Sequence, residues 1–464
     1  MKQCIIGILA FAGVCMWTGI TGPALAFGFN QPEISLVEPD YDIYVQSNVN
    51  VTFDPSGNVH VVYQDDRVAS NQHIFATSYT SGGALTPSYR AYQGIDTDTH
   101  ILPFVFPSGY YSDRCYVGGI LSGMTSSDCI MGYFDTTSLP AIPPIYTADS
   151  YTLATSTVES VDMIAGGFFV FLVYNYNGTL YFNTLDQQTG TWASETNLSP
   201  ISPDENYIAA SLAMDEDGFL YLAYDVFDTL NTTSFARIRR SQNTYSTDAW
   251  HLERQIELFS GSGAFRPRVA ATGSFVSGTL KVAVAYHRLD IPDPQIIGNM
   301  EQNGDWTATV PTPFAGTGPY NISNVLAPGN SIEGPDIAYD AGDGLYVVWS
   351  DDRDAIFKIY GNASYDGGVT MNSANEVQIG VGVQGIYGKP SLATGNAPGD
   401  IAVAYAKNDG MYTNPYLLVN RATFFDSCDI PPSATGYWTN SSGISVDYSR
   451  WFSDPASYKM EMSK

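Results

Sequence analysis

Positive charge is what this chain has least of. Its 464 residues carry 20 Lys and Arg against 47 Asp and Glu, for a formal net charge of −27, although only 14% of residues are charged at all. The acidity therefore comes from scarce cations, not from crowded carboxylates. Nucleic acid and anionic membrane are held through basic patches, so this composition argues against both as partners. Cysteine is scarce too, at five, and no two fall in a Cys-x-x-Cys pair. The five His residues show no paired spacing for zinc. No Ser-His-Asp order and no phosphate-cradling glycine loop is present. After the first 26 residues no apolar run is long enough to span a bilayer. A sustained 3.6-residue periodicity is also missing, which excludes a mainly helical fold.

The N-terminus carries an export signature. Lys2 is the only charge in residues 1–26, an apolar run follows over 5–20, and Ala24-Leu25-Ala26 offers a small-x-small cleavage site before Phe27. Residues 1–26 are read as a secretory signal peptide, with a retained membrane anchor as the alternative. The mature chain is then expected outside the cell, at its surface, or in a periplasm. Cleavage removes Cys4 and Cys15 and leaves Cys115, Cys129 and Cys428. An exported chain is disulfide-permissive, so Cys115 and Cys129 are expected to staple one loop, with Cys428 buried and inert.

What is abundant is strand-forming: Tyr, Val, Ile, Phe and Thr, punctuated by 43 Gly and 26 Pro. The clearest stretch is 334–371, which reads as strands over 335–339, 345–350 and 356–363 separated by turns. Its pattern recurs as an apolar strand, an Asp-x-x-Gly or degenerate turn, and an alternating strand ending in Tyr or Trp. Asp54 and Gly57 lead to Tyr63, Asp215 and Gly218 to Tyr224, and Asp340 and Gly344 to Trp349. Weaker copies lead to Tyr174, Tyr286 and Tyr405. Glycine supplies the positive φ of the turn, and the aspartate accepts backbone N–H groups across it. The aromatic is expected to fill the wedge between neighbouring sheets. The gap between Tyr63 and Tyr174 is two repeats long, so a divergent copy is expected around 115–133. Seven units of this length predict an all-β propeller of four-stranded blades, with six blades as the alternative. The propeller is expected over 27–432, and 433–464 as a closing strand with a tail.

In such a blade, the turns joining strands one to two and three to four share one face. The loops joining strands two to three emerge on the other, with the connections between blades and the mouth of the channel. On this second face the first and sixth units carry Asp65-Asp66-Arg67 and Asp351-Asp352-Arg353. The fourth carries Asp225 and Asp228, and the fifth His287, Arg288 and Asp290 before Pro292. Asp66, Arg67, Asp225, Asp228, His287, Arg288, Asp290, Asp352 and Arg353 are therefore the candidate ligand residues, with units four to six as a carboxylate-rich surface. Each Arg after two Asp residues has a structural alternative, tying its own loop through a bidentate ion pair. Asp215-Glu216-Asp217-Gly218 has a spacing that can hold calcium but lacks the twelfth-position Glu of an EF-hand loop, and a solvated acidic turn is the simpler reading.

Ser364-Tyr365-Asp366-Gly367-Gly368-Val369-Thr370-Met371 resembles the Asp-box of sialidase-like propellers, Ser-x-Asp-x-Gly-x-Thr-Trp, with Met371 in place of Trp. Residues 78–83 and 186–192 look like decayed copies. The resemblance implies a propeller fold, with Asp366 and Gly368 as turn-stabilising residues rather than catalytic ones. It also implies two competing activities. A glycan- or protein-binding module is the first reading, and a structural surface protein with no ligand site is a further alternative. A sialidase-like hydrolase is the second, and it needs at least three arginines converging on the channel mouth, an acid/base Asp and a Tyr nucleophile. Arg266 in Phe265-Arg266-Pro267 matches the family's arginine motif only superficially.

Overall fold

The computed structural model describes residues 29, 33–37 and 46–421, apart from short stretches of which 92–98, 140–145, 305–316 and 380–385 are the longest. The leader, Cys428 and residues 433–464 lie outside the described residues. The chain is an all-β propeller of seven blades, each built as the sequence repeat requires. Blade 1 comprises Gln46–Phe53, Val59–Val68, Asn71–Tyr79 and Tyr89–Arg90; blade 2 Thr99–Pro107, Arg114–Ser122, Ser127–Asp135 and Tyr146–Thr152. Blade 3 has Val161–Gly166, Phe169–Tyr176 and Thr179–Asp186, with Thr191–Trp192 and Thr196–Leu198 sharing the outermost place. Blade 4 is Glu205–Met214, Leu220–Asp228, Thr233–Arg240 and Arg254–Phe259; blade 5 is Ala264–Thr272, Lys281–Asp290, Asp293–Gln302 and Thr317–Asn321. Blade 6 is Ile332–Tyr339, Leu345–Asp351, Lys358–Ser364 and Val377–Gln378. Blade 7 is Ile386–Thr394, Ile401–Asn408 and Thr413–Asn420, and its outermost strand is Ile34–Ser35 from the other end of the chain.

That last pairing closes the ring. Ile34 pairs with Leu417 and Ser35 with Tyr416, while Leu36 and Val37 enter the apolar layer between blades 7 and 1. The outer place that a C-terminal closing strand would fill beside Thr413–Asn420 is thus taken by the N-terminal segment. Glu33, just before this strand, accepts hydrogen bonds from the Tyr405 hydroxyl and from Lys407 Nζ. The same device recurs wherever an acid precedes an outer strand. Glu195 accepts from the Tyr174 hydroxyl (2.5 Å), Glu253 from the Tyr224 hydroxyl (2.8 Å), and Glu376 from Arg353. An aromatic that ends a buried second strand needs a partner for its hydroxyl, and the outer strand supplies it.

Seven apolar clusters fill the seven gaps between adjacent blades. The anchors Tyr63, Tyr174, Tyr224, Tyr286, Trp349 and Tyr405 are fully buried there, each worth on the order of 2–3 kcal/mol of burial. In blade 2, register places Gly119 where the other blades carry the aromatic. The turns also behave as their sequence demands. Asp54 accepts from Asn58 N at 2.8 Å and its other oxygen meets His60 Nε2 at 3.0 Å. Asp215 accepts from Phe219 N and the Tyr221 hydroxyl, both at 2.9 Å. Asp340 accepts from Gly344 N (2.7 Å), the Tyr346 hydroxyl (3.0 Å) and, in blade 7, Gly399 N (2.6 Å). Gly57 and Gly218 have φ of +78° and +90°, whereas in the third copy Asp343, not Gly344, takes the positive φ. In the turn after Lys358–Ser364, Ser364 Oγ donates to Asp366 (2.5 Å) and accepts from Gly368 N (2.9 Å).

The expected Cys115–Cys129 bridge is not formed: both thiols are free and buried. Cys129 pairs in register with Ile120, five residues along the strand from Cys115. An odd separation puts the two side chains on opposite faces of the sheet. Cys115 joins the layer against blade 1 and Cys129 the layer against blade 3. At ~3.4 Å per residue they are also about 17 Å apart along the strand, far beyond disulfide reach.

Candidate functional site: the central channel and its second-face mouth

The second-face loops hold most of the candidate residues, and the structure engages them locally. Arg67 Nε donates to Asp65 at 2.7 Å, its Nη1 to Ser88 at 3.0 Å, and its guanidinium lies 4.2 Å from the Phe75 ring centre. Arg353 does the same in blade 6, on Asp351 (2.8 and 2.6 Å), Glu376 and the Tyr360 ring. Both arginines therefore follow the structural alternative, clamping their own blade. Asp352 accepts from Ser331 N at 2.7 Å. The half-buried Asp228 caps its own turn, accepting from Leu230 N (2.9 Å) and Asn231 N (3.0 Å). Asp66 and Arg288 are half-buried, and the side chain of Asp290 lies outside the described ones.

The fifth-unit loop is a correction. Its second and third strands stay paired to Asp290 and Asp293, so the hairpin is tight where a longer loop was expected. His287 is consequently a buried strand residue, and burial, then the nearby Arg266 charge, lowers its pKa to about 4. Asp225 is likewise buried, accepting from Ala209 N (2.5 Å) and from Arg266 N of the next blade (3.2 Å). Burial lifts its pKa to about 6.

The polar groups that do converge lie inside the ring. A cavity of about 240 Å³ is lined by inner strands of all seven blades, and its charged residues are Asp162, Arg268, Asp336 and Lys389. Six of the seven inner strands bulge near their second-face ends. Prolines 103, 267, 335 and 390 sit in four of those bulges, where a missing N–H costs no ladder bond. The first residue after the bulge faces the channel, so Leu-Pro-Phe104, Arg-Pro-Arg268, Gly-Pro-Asp336 and Lys-Pro-Ser391 are one motif. Arg266 belongs to it as the bulge residue, with φ +49°, and reaches Glu333 of the next blade.

Around the channel these equivalent positions form a ring of hydrogen bonds between blades. Asn50 accepts from Val105 N (3.3 Å), Asp162 from Leu212 N (2.9 Å), Ser211 from Val269 N (3.3 Å), Asp336 from Leu392 N (2.8 Å) and Ser391 from Val51 N (3.2 Å). Phe104 and Arg268 have no acceptor to offer. The residue facing each gap is an aspartate, whose second oxygen takes the next N–H of its own strand: Asp162 from Met163 N (3.0 Å) and Asp336 from Ile337 N (3.2 Å). Buried backbone donors must be satisfied. This explains why aspartate stands at those two positions.

Sequence reasoning did not single out Asp162, Arg268, Asp336 or Lys389. For Arg268 and Asp336 the signal was the residue after a bulge proline, a strand start that 335–338 shares with 390–393. Among the described residues, Arg268 is the only arginine lining the cavity, 3.5 Å from Asp162. The convergence of three arginines that a sialidase-type reading requires is not formed by Arg67 and Arg353. Among the described residues no group of three or more His, Cys, Asp or Glu is arranged to hold a metal, and no helix is long and apolar enough to cross a membrane. In the Asp215 turn, Asp215 is taken up by N–H and hydroxyl donors, and Asp217 accepts from Ser274 Oγ and Val276 N.

No protein-family profile matches the sequence, and no curated protein matches it. Solved structures do. A protein of unknown function from Dyadobacter fermentans is similar at 10% identity and TM-score 0.43, over 84% of this chain and 98% of that one. The propeller domain of the trilobed protease from Pyrococcus furiosus gives 9% identity and TM-score 0.44, over 84% and 99%. Trypanosoma rangeli sialidase gives 10% identity and TM-score 0.38, over 85% of this chain but only 58% of that one.

Proposed function

We propose that this protein is an exported propeller that binds a glycan at the second-face mouth of its channel, and that it does so without catalysis. The observation that carries the reading is the set of four charged side chains around a small cavity, with Arg67 and Arg353 committed elsewhere. Pockets with a few convergent polar groups at the centre of a rigid ring suit a small polar ligand. Export rests on the leader signature of residues 1–26, and the Ser364–Gly368 turn is read as a structural Asp-box. A role as a protein-binding surface uses the same face.

A glycan array probed with the purified full chain tests the reading. Binding to a defined set of glycans, weakened by Arg266→Glu at the channel mouth, is the expected result. No glycan bound by correctly folded protein would overturn it.

A further inference from the structure

The hydrogen-bond ring accounts for most of the polar groups in the channel, and two cations, Arg268 and Lys389, stand outside it. Asp162 and Asp336 are needed to satisfy backbone N–H groups where Phe104 and Arg268 leave gaps. Arg268 itself creates one of those gaps. An Asn or Ser at 268, as at positions 50, 211 and 391, would accept the Ile337 N–H; Arg268 instead points its guanidinium to within 3.5 Å of Asp162. Lys389 lies in the bulge, two residues before the ring position Ser391, and so takes no part in it.

Lys389 differs from the other lysines engaged in the structure. Lys281, Lys358 and Lys407 hold Asp343, Asp354 and Glu33 through ion pairs of 2.7, 2.6 and 2.5 Å. Among the described residues, Lys389 Nζ forms no hydrogen bond or ion pair. Its side chain is open to a water-sized sphere, yet it sits deep inside the ring, because the surface it exposes is the wall of the cavity. In a chain with so few cations, two of them face one cavity. The space is on the order of eight water volumes at about 30 Å³ each, enough for one monosaccharide.

We propose that Lys389 and Arg268 form the cationic half of a channel site that takes the carboxylate of a single acidic sugar of the uronic-acid class. This rests on the glycan reading above and names the ligand class. The carboxylate pairs with the Lys389 ammonium and the Arg268 guanidinium, while Asp162 and Asp336 face the ligand's hydroxyl groups as acceptors. Burial first, then the Arg268 charge, lowers the Lys389 pKa to about 8, against the opposing pull of Asp336 and Asp162 and with a further lowering from Arg266. The ammonium is therefore present below pH 8, and carboxylate binding weakens as the pH rises through that value.

The test is titration of the purified full chain with D-glucuronate and, separately, D-glucose, followed by calorimetry or ligand-observed NMR. Glucuronate is expected to bind at least about tenfold tighter than glucose, the worth of one charge-assisted pair. Lys389→Met should remove that preference while leaving the urea midpoint no lower than wild type, and Lys389→Arg should retain it. Equal affinity for the two sugars overturns the inference, as does a glucuronate affinity unchanged by Lys389→Met. Array binding confined to neutral glycans and indifferent to Lys389→Met would sink this inference alone, whereas an array with no bound glycan would sink the glycan reading itself.

Discussion

Removal of the Glu33 carboxylate should loosen the ring at its one non-consecutive joint. Two donors depend on it, the Tyr405 hydroxyl and Lys407 Nζ, and the Glu33 and Lys407 side chains are only 14% and 13% exposed. Glu33→Ala leaves the hydroxyl of the buried Tyr405 without this acceptor and breaks a largely shielded ion pair, a loss of about 2–4 kcal/mol. The unfolding entropy of a propeller of roughly 390 residues is about 0.8 kcal/mol/K at ~2.1 cal/mol/K per residue, so the melting shift is only about 3–5 °C. Urea denaturation read against amide exchange is the sharper assay. The variant should lower the urea midpoint and raise exchange selectively in Thr413–Asn420, the strand against which Ile34–Ser35 pairs. Glu33→Gln should fall between variant and wild type, since its amide oxygen still accepts. A Glu33→Ala protein with wild-type midpoint and wild-type exchange in 413–420 would refute the closure described above.

Other consequences follow from single sites. Asp225 is held in its buried position with a pKa raised to about 6. Its ionisation therefore costs stability that is fully felt above pH 6, is relieved as the pH falls from 6 to 4, and is absent below the unfolded value near 4. Asp225→Asn should flatten the stability-versus-pH curve between pH 4 and 6, by on the order of 2–3 kcal/mol, measured by urea unfolding at several pH values. Gly218→Ala places a methyl group 2.4 Å from the Tyr245 ring at φ +90°, whereas Gly278→Ala at φ +76° meets nothing within 4 Å. The first should cost about 2–3 kcal/mol and the second only about 1 kcal/mol in the same denaturation assay. Burial raises the Cys129 pKa to about 12 and pushes Cys115 well above its ordinary value. Both thiols should resist alkylation in the native protein and react on unfolding without reductant, as read by peptide mass spectrometry.

Much of the architecture was legible because each blade repeats the same local solution. The Asp-x-x-Gly turns and the aromatic anchors gave the three inner strands of blade 6 to within three residues, and seven units from spacing alone. Blade 2 was hidden because Gly119 replaces its anchor, so only the gap between Tyr63 and Tyr174 betrayed it. The partner of the last blade was hidden for a different reason. A two-residue strand carries no periodicity, and its strongest mark is Glu33, one of several glutamates that precede outer strands. The site was harder still. Charged loop residues looked like ligand groups, yet Arg67, Arg353 and Asp352 are satisfied by neighbours one to a few tens of residues away, which sequence cannot rank. Cys115 and Cys129 failed as a pair through strand parity, which depends on a register that sequence does not display. The channel residues are spaced a whole blade apart, so nothing local joins Asp162, Arg268, Asp336 and Lys389.

The measurement that bears most directly on the central reading is a fluorogenic exo-glycosidase panel, sialosides included, on the purified protein at pH 5 to 8. A ring in which Arg67 and Arg353 are committed to their own blades should show no turnover above buffer. Turnover that is abolished by Arg268→Ala or Arg288→Ala, with the fold intact by circular dichroism, would contradict the account and make this protein an enzyme.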